Sequence, residues 1–362
     1  MSASFPLDRL TAYLRQRLGH DVEVLGVRAL SPSGGTTDVK GLGYGVPLLV
    51  ELRRGHTTER LVLETVRPGA YGHEHMADRA QGVLWAYDAF NRLPGHVEAV
   101  DVGAVMQDGS LLSLAGMEEP FIVTRFVEGH PYNQDLERLR DGEALDEDAI
   151  GQADTLCDAL IEVHAERRDD PSLYRRHVRD LIGHGEGIFG VVDAWPVVRG
   201  LGRLEAIERA LVWWRWRLRA YEHRLRRVHG DFHPWNLMFD EGRLTMLDRS
   251  RGEWGEPAND VTCITANYLF FALQAHGRLR GPLERLWSRF WWRYVERTGD
   301  RELLQVAPPF LAFRCLVMAS PAWYPTLDEG VRDSLLRLAA GALAGECFDP
   351  ARAAAICEGR DE

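Results

Sequence analysis

A chain of 362 residues with a net charge of −11 is too long for one small core and too acidic for nonspecific binding to nucleic acid or an anionic membrane. Its apolar content of 45% and its eleven tryptophans exclude global disorder, and no run approaches the ~20 apolar residues of a membrane-spanning helix. Cys157, Cys263, Cys315, Cys347 and Cys357 include no C-x-x-C pair, and the N-terminus has no apolar signal core. Both features predict a cytoplasmic protein with reduced thiols.

Leu7, Leu10, Tyr13, Leu14 and Leu18 recur at helical spacing over Phe5–Leu18, with Pro6 suited to a first turn and Gly19 to a stop. Val22–Leu30 alternates as a strand, and Val46–Leu52 and Leu61–Val66 read as two more. Residues 31–45, S-P-S-G-G-T-T-D-V-K-G-L-G-Y-G, separate the first two strands. Glycines let a backbone approach phosphates with its N–H groups turned toward them. Gly41, Gly43 and Gly45 therefore read either as a lid over a nucleotide or as an ordinary hairpin loop. Lys40, beside Gly41, is the sole lysine of the chain.

Residues 70–92 predict a helix with Met76, Ala80, Val83, Leu84, Tyr87 and Phe90 on one face. His73 and His75 are two apart, point away from each other on a helix, and make no metal pair. Val97–Val105, Leu111–Leu114 and Phe121–Val127 read as strands. Beyond Glu128 the periodicity is helical, over Asp148–Ala165, Leu201–Leu225, Thr262–Gln274, Pro282–Thr298, Leu303–Ser320 and Glu329–Ala344. Trp213, Trp214 and Trp216 are interleaved with arginines but read as packing residues rather than a nucleic-acid surface.

Polar chemistry concentrates in H-G-D-F-H-P-W-N, residues 229–236, and L-D-R-S, residues 247–250. Asp231, Asn236 and Asp248 fall in two loops joined by a hairpin, Leu237–Phe239 and Leu244–Leu247 around Asp240, Glu241 and Gly242. Phosphoryl transfer asks a protein for this set. One carboxylate orients the attacking hydroxyl, while an amide oxygen and a second carboxylate hold Mg²⁺ on the phosphates. His229 and His233 would need a continuous helix to pair on zinc, and Pro234 argues against one.

These segments resemble the H-G-D-x-H-x-x-N loop and second aspartate of the aminoglycoside phosphotransferase and choline kinase family; G-E-P-A-N-D, residues 255–260, resembles its G-D-P-x-x-D segment. The resemblance implies an α+β, bilobal protein-kinase-like fold. A small antiparallel-sheet lobe, residues 1–127, would bind nucleotide, and a larger, mostly helical lobe, residues 128–362, would carry catalysis and the acceptor. It also implies ATP and Mg²⁺ as cofactors, a small-molecule hydroxyl acceptor, and no nucleic-acid or membrane partner. Asp231 would be catalytic, Asn236 and Asp248 would hold the metal at the lobe interface, and His229 and Asp260 would support the loop. Thr124, Arg125 and Phe126 would form the hinge whose backbone meets the adenine edge, and Glu74 or Asp78 would be the helix acid or part of a solvated first turn.

One departure bears on activity. The family carries a phosphate-pairing lysine on the third strand, whereas L-V-L-E-T-V places Glu64 there. A carboxylate ~4 Å from a phosphate charge is repelled by about 4 kcal/mol at an effective dielectric near 20. Either Glu64 points elsewhere, another cation such as Lys40 or Arg67 supplies the charge, or the chain is a catalytically silent binding module. Gly230 in place of the arginine of H-R-D, and the short stretch from Asp248 to Pro257, favour a small acceptor over a protein. Glu253, Trp254, Glu256, Trp291, Trp292, Trp323 and Tyr324 are candidates to line its pocket.

Overall fold

Leu10 and Leu14 on one face of helix α1 (Leu7–Leu18) are buried against Val22 of strand β1 (Val22–Ala29) and Val50 and Leu52 of β2 (Leu48–Arg54). The computed structural model describes residues 6–30, 45, 47–69, 71–196 and 201–360. The chain folds as two compact units, Met1–Thr124 and Arg125–Glu362.

In the first unit, β3 (Thr57–Leu63) completes an antiparallel sheet of order β1-β2-β3. The strand runs Thr57–Leu63 rather than Leu61–Val66, because its pairing partner β2 continues to Arg54, opposite Thr57. Helix α2 (Met76–Arg92) forms as the periodicity predicts but has no buried residue; Met76 is 77% exposed. Hydrophobic spacing specifies a face, not the surface that covers it. Only β4 (Gly103–Val105) and β5 (Leu111–Ser113) form between Val97 and Val127, as a two-stranded ribbon. The expected strand Phe121–Val127 is absent. Its β-branched and aromatic side chains have the right propensity, but the segment pairs with no strand, and Phe121, Ile122, Val123 and Phe126 are more than 80% exposed.

The second unit opens with β6 (His130–Pro131), α3 (Asn133–Arg140), α4 (Glu147–His164), α5 (Pro171–Gly183), α6 (Ile188–Asp193) and α7 (Leu201–Arg217). A 3₁₀ segment, Leu218–Arg224, leads to β7 (Arg226–Arg227), the H-G-D-F-H-P-W-N loop, β8 (Leu237–Asp240), β9 (Arg243–Met246) and β10 (Trp254–Gly255). The helices α8 (Ala258–His276), α9 (Gly281–Thr298), α10 (Leu303–Ala319), α11 (Glu329–Ala344) and α12 (Ala353–Cys357) follow. Every residue of α8 from Ala258 to Leu273 is buried, the polar Asn259, Asp260, Thr262, Thr265 and Asn267 included, and the helix packs against α9 and α10. Strands β6, β8 and β9 pair antiparallel in that order, with Leu237 opposite Met246 and the turn at Glu241 and Gly242 in left-handed conformations. That hairpin positions the site.

Candidate active site

The loop after β7 is held from beneath by one buried carboxylate. Asp260, in the first turn of α8, accepts the backbone N–H groups of His229 at 2.7 Å and Gly230 at 2.8 Å. His164 Nε2 lies 3.1 Å from the same carboxylate, and its Nδ1 meets the Tyr294 hydroxyl at 2.7 Å. Burial pushes the Asp260 carboxyl up, but His164, His229 and these hydrogen bonds outweigh it and hold it below the ordinary carboxylate range. Gly230 has φ +94°, and a Cβ there would also crowd Arg251 Cβ at 3.3 Å. This conformation leaves its carbonyl oxygen to accept from Asn259 Nδ2 at 2.8 Å and Arg314 Nη2 at 3.1 Å.

Asp231 follows, its side chain 12% exposed. Its Oδ1 accepts from Arg314 Nη1 at 2.7 Å, while Arg251 Nε and His233 Nε2 stand 3.6 and 3.7 Å from Oδ2. Burial raises the Asp231 carboxyl; the guanidiniums of Arg314 and Arg251, then His233, lower it further than burial raises it. Burial also lowers His229 and His233, so both favour the neutral ring at neutral pH. The result is an ionised carboxylate with one oxygen pinned and the other loosely flanked by the Arg251 guanidinium and the His233 ring. Such a group can orient a hydroxyl and take its proton as the O–P bond forms.

Pro234 starts the 3₁₀ turn Pro234–Asn236, closed by Asn236 N–H to His233 O at 2.9 Å. Asn236 Nδ2 donates to the Asp231 carbonyl at 3.1 Å, which leaves its Oδ1 as the uncommitted donor atom. Leu247 N–H bonds Asn236 O at 2.8 Å, so the hairpin returns the chain to Asn236 one residue before Asp248. Asp248 is exposed, adopts φ +51°, and its carboxylate has no partner among the described residues. An amide oxygen and a free carboxylate are the hard oxygen donors Mg²⁺ takes, the remaining positions going to water and substrate phosphates rather than to an all-protein cage. No group of three His, Cys, Asp or Glu side chains that could hold a metal ion forms among the described residues.

The model of the phosphotransferase enzyme family (APH) matches residues 51–296. The chain belongs to that family. Its architecture is α+β, with small antiparallel sheets and a mostly helical second unit. No curated protein sequence matches this chain significantly. Among solved structures it is similar to a choline kinase from Cryptosporidium parvum, with 9% identity, 93% of this chain and 95% of that one covered, and a TM-score of 0.35. It is also similar to LicA in complex with AMP, with 12% identity, 95% and 100% covered, and a TM-score of 0.37. A third is the ADP-bound aminoglycoside phosphotransferase APH(2'')-Ib, with 14% identity, 92% and 97% covered, and a TM-score of 0.31.

Within this family frame, the remaining expected residues fall differently. Lys40, Gly41 and Gly43 lie outside the described residues. Gly45 fits against the end of the sheet: a Cβ there would stand 2.2 Å from Thr65 O, so close backbone approach alone requires glycine. Thr124, Arg125 and Phe126 are exposed and irregular, at the boundary between the two units. Glu64 lies just past β3 and is exposed, as is Arg67. Asp78 caps α2 by accepting His75 N–H at 2.7 Å. Two acceptor-pocket candidates are corrected. Trp291 is fully buried, and Glu256 is buried in bonds to Arg224 and the Tyr174 hydroxyl, so neither can meet a substrate. Trp254 packs beneath Arg168 and Arg227.

Sequence reading missed Arg314, and a signal was there. It is the sole charged residue in the helix L-L-Q-V-A-P-P-F-L-A-F-R-C-L-V-M-A, and a cation in so apolar a run requires a buried carboxylate partner.

Proposed function

We propose that this phosphotransferase moves the γ-phosphate of ATP, with Mg²⁺, to a hydroxyl group of a small molecule. The observation that carries the reading is the geometry of Asp231, pinned by Arg314 on one oxygen and joined through its own carbonyl to Asn236, with Asp248 returned beside them by the hairpin. Asp231 orients the acceptor hydroxyl and receives its proton. Asn236 and Asp248 hold the metal, and Arg251 and His233 place positive or polar groups where phosphate charge is transferred. Bound there, Mg²⁺ would neutralise charge on the transferring phosphoryl group. The test is Mg²⁺–ATP turnover of the purified chain against a panel of hydroxyl compounds; nucleotide binding without transfer to any acceptor would refute the catalytic reading.

Asp248→Ala is expected to weaken nucleotide binding in the presence of Mg²⁺ by about tenfold or more, and to leave metal-free nucleotide binding unchanged. Titration calorimetry with and without EDTA reads both; an equal loss in the two conditions would remove Asp248 from the metal.

The missing strand lysine favours a second reading, a silent nucleotide- or partner-binding module. Charge compensation by Lys40 from the glycine-rich loop, with Arg67 as its rival, separates the two. Lys40→Met and Arg67→Met are expected to differ, the variant lacking the phosphate-pairing cation losing about 1–3 kcal/mol of Mg²⁺–ATP affinity. If neither variant changes affinity or turnover, compensation is rejected; if wild type binds no nucleotide, the silent module stands.

A further inference from the structure

A cleft of about 20 Å³ opens in the second unit between α5 and the junction of α7 with the 3₁₀ segment. Its lining shares no residue with the loop that carries Asp231 and Asn236, nor with Asp248. Arg175 of α5, Arg215 in the last turn of α7 and Arg219 four positions on form its polar part. Tyr174, Val178 and Leu218 are its buried floor, and the Tyr174 hydroxyl is committed to the Glu256 carboxylate at 2.9 Å. What the cleft presents to a ligand is therefore guanidinium.

Three cations here share one carboxylate. Glu222 Oε1 lies 3.6 Å from Arg175 Nε and 3.6 Å from Arg219 Nε, beyond hydrogen-bond distance, and is itself buried without a hydrogen-bond partner. Both Nε atoms face Glu222, which leaves the Nη ends of the two guanidiniums without an acceptor among the described residues. Arg215 has no carboxylate partner among them at all; it and Arg219 lie over the exposed Trp216 ring, 5.2 and 5.5 Å from its centroid. One indole thus holds two like charges close together, although like charges at i and i+4 repel. The contrast within the same unit is Arg289, Arg293 and Arg297, which bond the Asp154 and Asp158 carboxylates directly.

We propose that this cleft binds a phosphate group, apart from any bound at Asp231: inorganic phosphate, or the phosphate of a monoester whose remainder stays in solvent. Three guanidiniums against one carboxylate leave two positive charges to neutralise. A phosphate carries about −1.5 to −2 at neutral pH, and its three oxygens accept the forked N–H pairs that guanidiniums present. A carboxylate brings one charge and leaves part of the cluster unpaired. The volume agrees with entry of the anionic group alone, since one water already needs roughly 10–15 Å³.

Calorimetry on the full chain, in EDTA, without nucleotide and at one fixed ionic strength, tests this with inorganic phosphate, phenyl phosphate and acetate as probes. At least one of the two phosphates should bind, with acetate about tenfold weaker or more; the tighter phosphate tells a free ion from an ester. Arg215→Met and Arg219→Met should each lower phosphate affinity about tenfold, the scale for one charge-assisted hydrogen bond, and the double variant should lose measurable binding. Arg215→Lys, which keeps the charge without the fork, should retain part of the affinity. Both arginines are exposed, and thermal melting without phosphate checks that the variants fold. Absence of phosphate binding, acetate binding as tightly as phosphate, or phosphate affinity unchanged in the double variant would overturn the proposal.

Discussion

Asp231→Asn is expected to lower turnover by about 10²–10⁴-fold while Mg²⁺–ATP affinity stays within about threefold of wild type. Asparagine is the informative replacement, because its amide oxygen still accepts from Arg314 Nη1, whereas alanine would leave that buried guanidinium without its carboxylate. On the proposed mechanism the loss should fall on kcat: Asp231 would take the proton in the transition state, whereas the oxygens proposed to hold the metal are those of Asn236 and Asp248. Full turnover by a well-folded Asp231→Asn protein would end the assignment.

The same environment sets a pH dependence. With Arg314 and Arg251 holding the Asp231 carboxyl below its ordinary value, it stays ionised at every pH above the usual carboxylate range of about 4. No acid limb of kcat near pH 5–6 should then belong to it. Asp231 and Asp260 are both lower in the folded than in the unfolded chain. The stability they contribute is fully present above the unfolded carboxylate pKa and is lost as pH falls through the lower folded values.

Much of the second unit was legible in the sequence because its signals are local. Glu329–Ala344 runs as predicted, and Leu237–Asp240 with Arg243–Met246 forms the expected hairpin, since turn residues and periodicity fix both within a few positions. The site motif was legible for the same reason: H-G-D-F-H-P-W-N is contiguous. What failed depends on partners distant in sequence. Phe121–Val127 has strand-forming side chains without a neighbouring strand, and α2 has an apolar stripe without a buried residue. Trp291 and Glu256 looked like pocket residues by chemistry alone, yet one is core and the other is half of a buried ion pair with Arg224. Arg314 lies 83 positions from Asp231, so the apolar run around it signals a buried carboxylate partner without saying which one.

Arg314→Met is expected to cost about 3–5 kcal/mol of stability, the scale for removing one partner from a buried ion pair. The side chain is 7% exposed, and its loss takes the hydrogen bond from the Asp231 carboxylate and from Asn259 Oδ1, while Gly230 O keeps only Asn259 Nδ2. Methionine keeps most of the volume, so a cavity accounts for little of the effect. A second readout separates a structural role from control of the carboxylate. Without Arg314, burial opposes only Arg251 and His233, so the pKa of Asp231 should rise and the acid limb of kcat should move upward in pH. Arg314→Lys, which keeps the charge but not the forked geometry, should recover part of the stability and pull the acid limb back down. A melting temperature and a pH profile both unchanged in Arg314→Met would show that Asp231 is held by the loop's backbone alone, through Asp260, and that the arginine contributes nothing to it.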